Sequence, residues 1–294
     1  MALGSRISIG VFVPMALLAV AALLWTFVWF SAASRAREEI ALWRADLVNQ
    51  GGELSCSGED RGGYPFRLEF SCTNPVLKVG IGADVYVLKA ERLRAVAQAY
   101  DTGHMIFETD APLHLNRTDA AAQIDGARNI ISAEDGLIRV SLELEDGRAS
   151  RLSAVFPAWS AMDQTSPIGA RSGELHMRAR RDEDAIDIAV SAAGAYYTEP
   201  ASNVGTAGQR IEVESINQVT SINRPTATSP ANLDNWLGRW RDGGGVADVR
   251  RISFDSDYLS GEGAGAVNLT PQDQLEGALN VRFTKLNQFA EALE

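Results

Sequence analysis

The chain has 294 residues, with 27 basic and 38 acidic side chains and a formal net charge of −11. Hydrophobic residues make up 46% and charged residues 22%, which suits a folding chain and excludes a disordered or fibrous one. Net acidity without a basic cluster argues against nucleic acid as a partner. Two cysteines and three histidines exclude most zinc and iron–sulfur sites.

Residues Ile7 to Phe30 carry no ionisable side chain. A helix of that length reaches about 36 Å at about 1.5 Å per residue, enough to cross a hydrocarbon core of about 30 Å with some tilt. Trp25, Trp29 and Phe30 stand at one end, where aromatic rings favour the membrane interface, and Pro14 is tolerable inside lipid. The length favours an uncleaved anchor over a cleavable signal peptide, although Ser31-Ala32-Ala33 offers small residues for a cleavage site. Arg6 on one side faces Arg35, Arg37 and Arg44 on the other, a count that by itself would leave the body in the cytoplasm. Long domains translocate regardless of flanking charge. The cysteines decide the reading for an oxidising compartment.

After the anchor, Arg35 to Gln50 reads as a helix, with Ile40, Trp43 and Leu47 on one face and Gly51-Gly52 as its stop. Glu53 to Ser57 reads as a strand containing Cys56. Phe66 to Cys72 alternates, with Phe66, Leu68, Phe70 and Cys72 on one face. The Gly58 to Gly63 stretch between them reads as a turn-rich connection. Cys56 and Cys72, on adjacent strands around that connection, are well placed to form a disulfide. Two buried reduced thiols are the alternative. Such bonds persist in oxidising compartments.

Alternation then recurs. Leu93, Ala95, Ala97 and Ala99 are followed by Met105 and Phe107 as pairing candidates. Ile138, Val140, Leu142 and Leu144 lead through Asp146-Gly147, a type I′ hairpin signal, to Leu152, Ala154 and Phe156. Leu175, Met177 and Ala179 precede Ile186, Ile188, Val190 and Ala192. From Ala201 to Ser229 polar and small residues suggest a long connection with a brief strand at Ile211 and Val213. Ser229 and Pro230 suit a helix start, Leu233, Trp236, Leu237 and Trp240 make its stripe, and Gly243-Gly244-Gly245 ends it. Strands follow over Val246–Asp255, Tyr258–Thr270 and Leu275–Thr284, and a short helix begins at Asn287. Helix, Gly-Gly and strand thus follow one another twice, which an old duplication or two ordinary helix caps explain equally well.

Gly261, Gly263 and Gly265 share one face of their strand, so something approaches that bare backbone closely or the strand bends. A packed helix, such as the one bearing Trp236 and Trp240, is the plain explanation. A groove for an acyl chain or peptide is the sharper one, and it makes these three glycines the candidate ligand-binding residues. No Gly-x-Ser-x-Gly elbow or Walker loop occurs. His104, His114 and His176 lack metal-ligand spacing. No catalytic residue, metal site or cofactor is therefore assigned.

Gly62-Gly63-Tyr64-Pro65-Phe66-Arg67 with flanking cysteines, Ala90-Glu91-Arg92-Leu93-Arg94-Ala95 followed by His104, and Trp240-Arg241-Asp242-Gly243-Gly244 leading to Gly261-x-Gly263 occur in that order. Together with the N-terminal span they resemble the DUF2125 family of alphaproteobacteria. That family brings no catalytic residues with it. Its general look is similar to AsmA-like envelope proteins, which implies inner-membrane attachment, a periplasmic domain and a link to lipid.

The expected architecture is α+β and β-rich: an extended curved antiparallel sheet with a few packed helices, preceded by one transmembrane helix. Residues 1–34 would form the anchor and residues 35–294 the periplasmic body. The expected role is non-catalytic, in envelope maintenance, with an apolar sheet face binding lipid. The rivals are an envelope protein-interaction module without lipid and an envelope hydrolase.

Overall fold

The computed structural model describes residues 9–81, 84–119, 128–133, 135–163, 166–198, 210–224 and 236–292. Helix α1 (Ile9–Asn49) comes first, and then the strands β1 (Glu53–Ser55), β2 (Gly58–Gly62), β3 (Arg67–Thr73), β4 (Val76–Ile81), β5 (Asp84–Gln98) and β6 (Asp101–Asp119). There follow β7 (Arg128–Ala133), β8 (Leu137–Glu145), β9 (Arg148–Phe156), β10 (Trp159–Asp163), β11 (Ser166–Ala170), β12 (Ser172–Arg180), β13 (Ala185–Thr198) and β14 (Arg210–Asn223). Helix α2 (Trp236–Asp242), strands β15 (Ala247–Asp255), β16 (Ser260–Leu269) and β17 (Leu275–Thr284), and helix α3 (Leu286–Ala292) complete the chain.

The expected anchor and the expected helix from Arg35 are one continuous element that runs through Pro14. Nothing between Ser31 and Arg35 breaks it, because the Ser31 hydroxyl donates back to the Phe27 carbonyl (2.9 Å) and satisfies itself within the helix. At about 1.5 Å per residue α1 is about 60 Å long, so roughly half of it remains after a bilayer crossing. It is long and apolar enough to cross a membrane.

Both glycine stops close their helices the same way. After α1, Gly51 N donates to Val48 O and Gly52 N to Leu47 O, with Gly51 at φ +78°. After α2, Gly244 N donates to Arg241 O and Gly245 N to Trp240 O, with Gly244 at φ +70°. This is the Schellman pairing, and it explains why helix, Gly-Gly and strand recur. The proposed start of α2 at Ser229, with Pro230 and Leu233, lies outside the described residues.

Every ladder is antiparallel. The hairpins follow the alternation: Ala97 faces Met105 and Ala95 faces Phe107, Leu142 faces Leu152, and Met177 faces Ile188. Asp146 and Gly147 both have positive φ (52° and 72°), as a type I′ turn requires. Two segments differ from the sequence reading. Gly58 to Gly62 is strand β2, not a connection, pairing Glu59 with Cys72 and Arg61 with Phe70. It is an exposed edge, where charged residues are suitable and no apolar face is needed. The brief strand at Ile211 and Val213 is the 14-residue β14, paired on both sides. Its apolar residues switch parity between Val213 and Ile216, which breaks the alternation in the sequence. Cys56 lies just beyond β1 rather than inside it.

Long strands serve two ladders each. β5 pairs with β4 along its first half and β3 along its second. β6 pairs with β8 and then β7, and β13 with β12 and then β11. Two routes therefore connect β6 to β13, one through β8, β9 and β12, the other through β7, β10 and β11. Leu113, Ala133 and Ile138 are buried at this fork, with Leu88, Val140, Phe156 and Trp159 packed around them.

Accessible surface totals 19748 Å², against about 12,000 Å² for a compact monomer of this mass. A long apolar helix in the open and a sheet whose apolar positions are mostly half-buried both contribute to the surplus.

Candidate functional site

Two features could carry function: the join between α1 and the sheet, and the apolar sheet face that starts there. The join is built by the Gly63–Arg67 turn. Gly63 sits at φ +96°, and a Cβ there would press on the Arg67 backbone, so glycine is needed. The turn presents its carbonyls to two tryptophans one helical turn apart. Trp25 Nε1 donates to Pro65 O (2.9 Å) and Trp29 Nε1 to Arg67 O (2.8 Å). Tyr64 meets Trp29 edge-on at 5.3 Å and shares a hydrogen bond with Thr26. Phe66 lies 6.0 Å from Trp25. Trp29, Ala33 and Ala99 are buried together, with Leu68 against them. The tryptophans expected near the membrane interface therefore also have protein partners.

Phe30, Tyr64, Phe66 and Tyr100 remain 55–67% exposed around this join. They share one end of the sheet, since Ala99 N donates to Phe66 O. Exposed aromatic rings beside an apolar helix suit the interfacial zone of a bilayer.

Further along α1, Arg44 pairs with Glu59 (2.7 Å) and lies over the Phe70 ring at 5.6 Å. Its guanidinium holds the Glu59 carboxyl below the ordinary carboxylate value. Beneath it the expected disulfide joins Cys56 and Cys72, with Cα atoms 5.4 Å apart and Cys72 fully buried.

The two sheet faces differ in kind. One row runs from Phe70 through Ala95, Phe107, Val140, Ala154, Leu175 and Val190. It continues through Gln218, Ile252 and Gly263 to Val281. The row two residues along passes Leu68, Ala97, Met105, Leu142, Leu152, Met177 and Ile188. The first row crosses eleven strands, about 48 Å at roughly 4.8 Å per step. The opposite face carries cross-strand ion pairs, among them Arg94 with Glu69 and Glu108, Arg139 with Glu108, and Arg251 with Glu262.

The three candidate glycines lie on the apolar face, in the ladder between β15 and β17. Among the described residues, the atoms nearest to the space their Cβ atoms would take do not belong to α2. The Phe254 ring occupies the space a Gly261 Cβ would need; at Gly263 the Asn280 carbonyl is 2.7 Å away, and at Gly265 the Ala278 carbonyl fills the space. The β17 backbone and one phenylalanine thus make the close approach. Trp240 instead covers Gly245 and donates to Asn223 O (2.9 Å).

On the polar face Ser153 hydrogen-bonds His176 Nδ1 (3.0 Å), and Glu174 lies 3.3 Å from Nε2. His104 pairs similarly with Ser141. Each set lies within the ladders of β6, β8, β9 and β12, where neighbouring strands occupy the backbone N–H groups. An oxyanion hole needs such donors free and converging. Among the described residues, no three His, Cys, Asp or Glu side chains converge as metal ligands would.

No curated protein and no solved structure matches the chain. The DUF2125 family, described as an uncharacterized protein conserved in bacteria, matches residues 29–294. That match begins at Trp29, the residue that docks the sheet, and covers the whole body: the chain belongs to the DUF2125 family.

Proposed function

We propose that this protein is an inner-membrane-anchored, periplasmic binding protein of the cell envelope, non-catalytic, that holds lipid on its apolar sheet face. The carrying observation is the row from Phe70 to Val281, apolar except at Gln218 and Gly263, which begins beside the helix that can cross the membrane. A one-sided sheet normally hides that face under a second layer. Here its side chains are mostly half-buried, and Val190 is 40% exposed. A disulfide supports an oxidising compartment. The exposed rings at Tyr64, Phe66 and Tyr100 support a body seated against the bilayer, from which lipid would reach the face directly.

The test uses the full chain in its native membrane. A photoreactive benzophenone side chain at Val190, on the apolar face, is compared with one at Ser191, on the polar face. Lipid adducts at Val190 and not at Ser191 are expected. Equal labelling, or none at either position together with no lipid retained in native mass spectrometry, overturns the lipid reading.

A second reading, a protein-interaction module, has its own support at the far edge of the sheet.

A further inference from the structure

The sheet ends at β17, which pairs with β16 and, among the described residues, with nothing else. All ten of its residues are exposed. It contains no proline or inward bulge to blunt the edge, and Leu275, Leu279, Val281 and Phe283 extend the apolar face to its rim. An edge of this length and composition is a template for another strand. Its two charges, Glu276 and Arg282, have no ion-pair partner among the described residues. Glu262, beside Arg282 in the ladder, turns to Arg251 instead.

We propose that β17 pairs antiparallel with β17 of a second copy of this chain, about a two-fold axis through Leu279. This goes beyond the lipid reading and does not depend on it. The register follows from the strand itself. With Leu279 opposite its own copy, Leu275 faces Phe283, Gly277 faces Val281, and Glu276 faces Arg282 twice over. Opposed residues in an antiparallel pair lie on one face, so both apolar faces join and both charges are matched. A symmetric register centred one residue to either side sets Glu276 against Asn280 or Thr284 and loses both ion pairs. A slip that opposes odd to even residues sets leucines against charges. A single strand pair buries less than the roughly 1,200–2,000 Å² of a stable interface. Confinement of two chains in one membrane raises their effective concentration and offsets that deficit.

The test is disulfide trapping of the full chain in lipid vesicles under mild oxidation, read on a non-reducing gel. Leu279→Cys places two thiols at the axis, within the roughly 4.4–6.8 Å Cα spacing a disulfide spans. It should convert most of the protein to a linked dimer. Leu275→Cys alone leaves its thiols about 27 Å apart and should stay monomeric. Combining it with Phe283→Cys should restore linkage. All three sites are exposed, so the fold tolerates the changes. Glu276→Arg should lower the Leu279→Cys dimer yield several-fold, and adding Arg282→Glu should recover it. A Leu279→Cys protein that links no better than Leu275→Cys overturns the dimer. Linkage that ignores the charge reversal overturns the register.

Discussion

The two ends of the sheet are finished in opposite ways. At the end that holds β2 and β3 one face is covered: Trp25 and Trp29 bind the turn before β3, Arg44 closes over Phe70, and Cys72 is fully buried in a disulfide. At β17 every residue is exposed and no second layer lies on it among the described residues. One ladder of hydrogen bonds links these extremes. The anchored end therefore carries the cooperative stability, and the free end is left available for contact. Local stability varies within a fold in this way, and interacting elements come from its low end.

The largest expected effect comes from Trp29→Ala. It removes a buried aromatic ring and its hydrogen bond to Arg67, at a cost of about 3–5 kcal/mol. Urea titration of the full chain in detergent should show the loss. Phe27→Ala, at a ring 72% exposed on the same helix, should change little. Equal effects would mean the join is not a packing contact.

Next in size is Cys72→Ser. The bridge spans 16 positions of sequence, and a loop of that length contributes about 3 kcal/mol by restricting the unfolded chain. The denaturation midpoint under oxidising conditions should fall accordingly, and β17 should not be preferentially loosened. An unchanged midpoint would remove the disulfide from the account of the anchored edge.

Much of this contrast was legible in the sequence, and the parts that were not share a cause. Hairpins such as Leu137–Glu145 with Arg148–Phe156 are local, and alternation plus Asp146-Gly147 specifies them. The helix ends at Gly51 and Gly244 are equally local. Strand β2 escaped because an exposed edge has no apolar face to betray it. The join of Trp25 and Trp29 to the Gly63–Arg67 turn spans about forty residues, and no periodicity encodes it. The available signal was two tryptophans one helical turn apart and a Gly-Tyr-Pro-Phe turn. The glycine stripe was visible, but its partners were the Phe254 ring and the β17 backbone rather than α2.

That stripe offers a change confined to the free edge. A Cβ at Gly265 would collide with the Ala278 carbonyl, which is backbone and cannot step aside. Gly265→Ala should cost about 1–3 kcal/mol as overpacking. It should appear as faster amide hydrogen exchange in β17 with β3 and β5 unchanged. Slower exchange everywhere, or loss of the whole fold, would contradict two independently stabilised edges.

The smallest effect is in acid, and it touches both edges. Arg44 lowers the pKa of Glu59 at the anchored edge, chiefly by hydrogen bonding, and Lys285 does the same to Asp255 at the free one. A carboxylate with a lowered folded-state pKa stabilises the protein fully above its unfolded value, near 4.5 for Glu59. That contribution disappears as pH falls through the folded value. Glu59→Gln should therefore lower stability at pH 7 by no more than about 1 kcal/mol, the range for such an ion pair. The gap between it and the parent should close as the pH drops below 4.5. Asp255→Asn should leave the global midpoint alone and show its pH dependence only in β17 exchange, because Lys285, which follows that strand, ties it to Asp255 (2.7 Å). A global shift from Asp255→Asn would show that the free edge contributes to the cooperative unit after all.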